Sequence, residues 1–266
     1  SVMNPSSERM NTLRTTLHRG LLENLDFNFK NGSADTLIYE HGTVFEKKGD
    51  TLKDIDQVSN FSCLVHGNFY EKNVHFNDVE SNFFLLKGIA TNAFETLTKA
   101  KVKFIKDENS YCDVFYRIVD NKKNTVGSIG VIANSFLDKL DIAHKTDVCV
   151  MDINTTFFTE HFNHSVKVKD VILYPAVNRD LNFKLDSTAN LGEVCSTMKS
   201  VNQSILQDVW PVDIYQSKKE KDKKNVLFKL SFQNVKKTLE DNDVNSIIAE
   251  IISIVTKKFN AKLRDN

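Results

Sequence analysis

Tyr174-Pro175-Ala176-Val177-Asn178-Arg179-Asp180-Leu181-Asn182-Phe183 is the stretch from which the fold of this chain can be worked out. Proline disfavours helix on its N-terminal side and suits the first residue of a strand. Beyond it Leu181, Phe183 and Leu185 alternate with polar residues, the period of a half-buried strand, predicted over 172–185. Helical and strand patterns follow as helix Leu191–Val201, strand Leu206–Tyr215, strand 225–233, helix Asp241–Phe259 and short strand Lys262–Arg264. Strand, helix, strand, strand, helix, strand is the split βαβ order of a ferredoxin-like domain. An arginine at the mouth of the first strand, Arg179, has the chemistry to meet a phosphate or a base edge.

Upstream the pattern changes. Leu17, Leu21, Leu25 and Phe29 recur at helical spacing, and Asn31-Gly32 supplies the stop. Strands are predicted over 37–45 and 60–70, and a long helix over 79–100 with Phe83, Leu86, Ala90, Ala93, Phe94 and Leu97 on one face. Strands 110–119 and 125–133 flank the polar turn 120–124 as a hairpin. A short helix over 135–140 and a strand over 148–158 complete this part, and the polar run Thr159-Glu160-His161-Phe162-Asn163-His164 is the expected link to the second domain. The fold class is therefore α+β: an antiparallel sheet with flanking helices over 1–168, then the ferredoxin-like βαββαβ domain over 169–266.

The 266 residues are 41% hydrophobic and 26% charged, with a formal net charge of zero. No global field draws the molecule to nucleic acid or membrane, so any RNA contact rests on a local patch. No apolar run approaches the roughly 20 residues of a membrane span. The four cysteines, Cys63, Cys112, Cys149 and Cys195, form no CxxC pair, which fits reduced thiols in a cytoplasmic protein. His161 and His164 have a spacing compatible with metal ligation, but no cysteine or carboxylate pattern joins them, so no metal site is assigned.

Four stretches carry a resemblance. Asn4-Pro5-Ser6-Ser7-Glu8 with Leu13-Arg14-Thr15-Thr16-Leu17 and Gly20-Leu21-Leu22-Glu23 is the first, and Tyr39-Glu40-His41-Gly42-Thr43-Val44-Phe45 the second. Leu86-Lys87-Gly88-Ile89 is the third; the fourth is Tyr174–Phe183 with Thr238-Leu239 and Ala261-Lys262-Leu263-Arg264. In this order and spacing they resemble the C-terminal part of the β subunit of bacterial phenylalanyl-tRNA synthetase. The resemblance implies a class II synthetase-like module over 1–168 and an anticodon-binding domain over 169–266.

It also implies that the first module is catalytically inactive, and the residues agree. A working class II site needs an arginine on the α-phosphate after the second of these stretches, where Glu46 stands instead. A carboxylate there repels triphosphate. The strand-to-helix segment Val150-Met151-Asp152-Ile153-Asn154-Thr155-Thr156-Phe157 lacks the glycines and arginine of the other phosphate-binding element. No catalytic residue and no cofactor are thus assigned to this chain. ATP and magnesium belong to the holoenzyme, and editing and metal binding to domains the family places upstream. The implied partners are a catalytic α subunit, in an α2β2 assembly, and tRNA for phenylalanine.

The α contact is expected on the helix bearing Leu17, Leu21, Leu25 and Phe29; Phe27 and Phe29 serve either that interface or the intramolecular core. The RNA contact is expected at Arg179 and Lys184, in the run Lys218, Lys219, Lys221, Lys223 and Lys224, and at Lys236 and Lys237, with the second domain mildly the more basic. Tyr174 and Phe183 are the aromatics nearest Arg179, Phe183 falling on the core side of its strand. Glu240, where Thr or Ser usually caps the last helix, is expected to weaken that start. Two rivals differ in class: a single-chain organellar-type synthetase, which would form adenylate alone, and a stand-alone RNA-binding protein, which would recover no α subunit.

Overall fold

The computed structural model describes residues 11–49, 51–75, 77–163, 172–217 and 220–264. The chain forms two compact units, Ser1–Val166 and Lys167–Asn266. In the first, helix α1 (His18–Lys30) leads into two long strands, β1 (Thr36–Lys47) and β2 (Ile55–His66), and a small ribbon of β3 (Asn68–Tyr70) and β4 (Val79–Glu80). Helix α2 (Phe83–Thr98), strands β5 (Lys103–Lys106), β6 (Cys112–Val119) and β7 (Thr125–Ile132), helix α3 (Asn134–Lys139), strand β8 (Cys149–Asn154) and helix α4 (Thr155–His161) follow. Six strands make one antiparallel sheet in the order β1-β2-β8-β7-β6-β5.

Alternation decides what covers each face. Val65, Met151 and Ile153 pack with Leu86, Ala90 and Phe94 of α2 and Phe157 of α4. Their neighbours Leu64 and Val150 point the other way and pack with Leu21, Leu22 and Leu25 of α1, Leu137 of α3 and Ile142. Leu17, Leu21 and Leu25 are 1%, 2% and 0% exposed, so the expected subunit contact on this stripe is corrected: these side chains are spent on the unit's own core. Phe29 is also turned inward, its ring edge-on to His66 at 6.1 Å. Phe27 alone of this group faces outward.

Several expected boundaries shift, each for a local reason. The strand predicted over 148–158 stops at Asn154, whose side chain accepts the Thr156 N–H at 2.9 Å and caps α4. Part of the expected link, Thr159–His161, is therefore helix, and His161 stacks on Phe157 at 4.4 Å; His164 lies outside the described residues. The long helix begins at Phe83, because Asn82 caps it by accepting from the Leu85 N–H at 2.9 Å. The strand predicted over 60–70 is two strands, broken at Gly67 with φ +78°. β5 was not foreseen; Lys103-Phe104-Ile105-Lys106 is too short for alternation to announce it.

In the second unit β9 (Val177–Asp186), α5 (Leu191–Val201), β10 (Leu206–Tyr215), β11 (Lys223–Phe232), α6 (Asp241–Phe259) and β12 (Lys262–Arg264) build a four-stranded antiparallel sheet in the order β10-β11-β9-β12. Leu181, Phe183, Leu185, Val226, Phe228, Leu230 and Phe232 lie on one face and share a core with Val194 and Met198 of α5 and Val244, Ile247, Ile251 and Val255 of α6. The α+β class and the ferredoxin-like order are as expected. The start of α6 is firmer than expected: Asp243 reaches back to accept the Glu240 N–H at 3.2 Å, so an acidic pair replaces the missing hydroxyl cap.

Candidate nucleic-acid interface

Because α5 and α6 both lie on one side of the second sheet, its other face carries side chains that no helix covers. Register fixes which they are, since residues directly opposite one another in antiparallel strands share a face. One row crosses all four strands: Tyr215 opposite Asn225, Asn225 opposite Lys184, Lys184 opposite Lys262. The next runs Asp213, Leu227, Asn182, Arg264, and a third runs Trp210, Lys229, Asp180. Tyr215 is 61% exposed and Trp210 38%. The Oδ1 atoms of Asn182 and Asn225 have no hydrogen-bond partner among the described residues. Those two oxygens are buried, whereas exposed aromatic rings beside cations in adjoining rows are the equipment with which proteins bind unpaired nucleotides.

Lys184 stands in the middle of this face, holding Glu220 at 2.6 Å. Lys223 shares the face and pairs with Asp186, whose hydrogen bond raises its pKa. Lys221 lies in the connecting turn and is exposed; Lys218 and Lys219 lie outside the described residues.

Lys224 is corrected. It falls on the helix-covered side with Val226 and donates to the carbonyls of Ser187 and Ala189 at 2.8 and 2.7 Å, and burial pulls its pKa down. It ties β11 to the turn before α5 and offers nothing to a phosphate.

Arg179 is corrected in its placement. It is in odd register with Leu181 and Phe183 and so lies on the covered side, opposite to Lys184. There it donates to Asp241 at 2.6 Å, in the first turn of α6, and to the Asn178 carbonyl at 3.0 Å. Lys237 is similarly held by Asp243 at 2.8 Å, and Lys236 is exposed beside it. The basic residues expected on one RNA surface are thus split between two faces, and those near α6 meet its acidic first turn. Phe183 is fully buried, as its register required, and Tyr174 is exposed, with its carbonyl accepting from the Gln233 side chain at 2.7 Å.

Sequence reasoning missed Trp210, Tyr215, Lys229, Lys262 and Arg264. The signal was present in the alternation of β11, where Lys223, Asn225, Leu227, Lys229 and Ser231 are the odd positions, four of them polar. It becomes a surface only once β9 is known to sit between β11 and β12.

The family model for the phenylalanyl-tRNA synthetase β-chain CLM domain matches residues 1–155, and that for the ferredoxin-fold anticodon-binding domain matches 173–264. The phenylalanine–tRNA ligase β subunit of Lactococcus lactis is 28% identical over 267 residues, covering 99% of this chain and 33% of its own. That of Buchnera aphidicola is 26% identical over 273 residues, covering 98% and 33%. This chain therefore spans about a third of the length of those relatives. A pyrrolysyl-tRNA synthetase from Desulfitobacterium hafniense overlaps 55% of this chain and 48% of its own at a TM-score of 0.42 and 10% identity, too slight a likeness to carry weight. With one model matching more than half of its residues and the other the ferredoxin-like unit, the chain belongs to the phenylalanyl-tRNA synthetase β-chain family.

Proposed function

We propose that this chain is the portion of a phenylalanine–tRNA ligase β subunit that scaffolds the catalytic α subunit and holds the anticodon region of tRNA for phenylalanine. The open face of the second sheet is the RNA surface. One observation carries this: the row Tyr215, Asn225, Lys184, Lys262 runs across all four strands with an exposed stacking ring at one end and the cation of Lys262 at the other. An unpaired base stacks on Tyr215 or Trp210 while Lys229, Lys262 and Arg264 meet the backbone that follows it.

The first unit is catalytically silent in this reading. Glu46, at the end of β1, is exposed and bound to Lys48 at 2.9 Å, so a carboxylate stands where a phosphate would have to be neutralised. On β8 Asp152 faces Ser62 and His18, an arrangement without a cation for triphosphate. ATP and magnesium then act on the α subunit. The outward apolar side chains Phe84, Tyr39 and Phe27, 77%, 73% and 67% exposed, are the ones with surface to offer that partner in an α2β2 assembly.

Fluorescence anisotropy with a labelled anticodon stem-loop tests the RNA surface. Tyr215→Ala with Lys262→Ala is expected to weaken binding about ten-fold or more, one stacked base alone being worth about 1–3 kcal/mol. Arg179→Ala should change it little. Wild-type affinity in the double variant would remove the open face from consideration.

A further inference from the structure

A sheet that does not close ends in strands with one side unpaired, and an unpaired side is a template on which another chain can add a strand. The second sheet has two such ends. β12 is three residues long and carries Lys262 and Arg264, too short and too charged to serve. β10 is different. It runs for ten residues with no strand on its outer side among the described residues, and Trp210, Val212, Ile214 and Tyr215 are 38%, 54%, 53% and 61% exposed. A long apolar edge of this kind is where a second copy would pair.

Which amides β10 turns outward follows from its register. The Gln233 N–H donates to the Ile205 carbonyl at 2.8 Å, so in the next pair, Leu206 opposite Phe232, the amides and carbonyls point away from each other. Every second residue of β11 repeats that geometry, which selects Val209 opposite Leu230, Pro211 opposite Phe228 and Ile214 opposite Val226. Two bulges, between Leu206 and Asp208 and between Pro211 and Asp213, keep these outward positions in step with β11.

None of the four outward positions has a free donor. The Leu206 N–H donates to the Asn202 carbonyl at 2.9 Å, at the end of α5. The Val209 N–H donates to Asp208 Oδ1 and the Ile214 N–H to Asp213 Oδ1, each at 2.9 Å. Between them Pro211 has no N–H at all. Lys199 of α5 donates to Asp208 Oδ1 at 3.2 Å and holds that carboxylate at the edge.

We propose that β10 is an edge closed to strand addition: Asp208 and Asp213, each accepting the amide of the residue after it, and Pro211 between them bar a second copy of this chain from extending the second sheet. An added antiparallel strand needs donors as well as acceptors along the edge, and the outward positions offer only carbonyls. The closure leaves Trp210 and Tyr215 exposed on a sheet that stays single. It concerns the backbone of β10 alone and holds whether or not RNA binds the open face.

Sedimentation velocity of the whole chain over a concentration series tests it. Asp208→Ala with Pro211→Thr and Asp213→Ala restores donors at positions 209, 211 and 214. That variant should self-associate at a concentration about ten-fold or more below any association of wild type, the ratio expected of one net hydrogen bond. Asp208→Ala with Asp213→Ala, which leaves Pro211 in place, should show the same effect more weakly. Amide exchange identifies the surface: the N–H groups of Val209 and Ile214 should become protected in both variants as concentration rises and lose that protection on dilution. Asp208→Asn with Asp213→Asn removes the same charges but keeps an acceptor oxygen at each position, and should sediment as wild type does. The proposal is overturned if neither alanine variant associates more than wild type, or if they associate while exchange at Val209 and Ile214 ignores concentration. It is also overturned if the asparagine variant associates as strongly, since like charge and not hydrogen bonding would then be the barrier.

Discussion

Lys223 and Lys224 are adjacent in β11 and do opposite things, because a strand turns successive side chains to opposite faces. Lys223 stands over the open sheet, whereas Lys224 gives its ammonium to the carbonyls of Ser187 and Ala189. Lys224→Met is expected to cost about 1–3 kcal/mol of stability in chemical denaturation, by leaving those acceptors unsatisfied, and to leave RNA affinity unchanged. A loss of RNA binding without a loss of stability would contradict that assignment. His66 offers a second test. Its Nδ1 donates to the Ala34 carbonyl at 2.8 Å, and Nε2 accepts from the N–H groups of Lys145 and Thr146 at 3.1 and 3.4 Å. Protonating Nε2 would remove the acceptor both amides use. Burial accordingly holds the His66 pKa below its ordinary 6.5, with His144 and Lys145 adding to the effect against Ala34 and Asp35. Since the unfolded chain takes up this proton first, stability is fully present above about pH 6.5 and falls as pH drops below it. The urea midpoint should be lower at pH 5.5 than at pH 7.5, and His66→Gln should reduce that difference.

At the scale of elements, α5, β10, α6 and β12 have the bounds their patterns announce, because period and ending coincide there. Left-handed Asn260, for instance, closes α6 where its apolar stripe runs out. Elsewhere a local device overrides the pattern. Asn82 and Asn154 act as caps inside stretches that still look periodic, and Gly67 breaks a run of strand-forming residues. Gly67 combines a φ of +78° with a crowded site: an added Cβ would lie 2.9 Å from Asp35 Cα and 3.0 Å from the Ala34 carbonyl. Gly67→Ala should cost at least about 2 kcal/mol, combining left-handed strain with a backbone clash. Thermal unfolding of the variant at equal concentration measures it, and an unchanged melting temperature would mean that β2 and β3 can be joined without the kink. Arg179 shows the same limit for the site. The motif places it near the start of a strand, where β9 has it, but the side of the sheet depends on where the helices pack, which is a property of the assembled unit.

For the whole molecule the governing fact is a net charge of zero distributed as pairs. Lys184, Lys223, Arg179 and Lys237 each hold a carboxylate, so RNA gains little from them that it does not have to take from an existing partner. On the open face Lys229, Lys262 and Arg264 make no ion pair among the described residues. If they neutralise three phosphates of a single-stranded loop, log Kd should rise with log salt at a slope of about 2. That slope is shallow for a nucleic-acid binder, and it implies that stacking on Tyr215 and Trp210 supplies most of the salt-independent affinity. The two contributions separate cleanly: Lys262→Ala with Arg264→Ala should flatten the slope by about two-thirds, whereas Tyr215→Ala should raise Kd at every salt concentration and leave the slope alone. Anisotropy titrations between 50 and 300 mM salt (roughly the range over which counterion release is read) decide it. A steep slope unaffected by the paired variant would place the binding charge elsewhere and remove the sheet face from the interface.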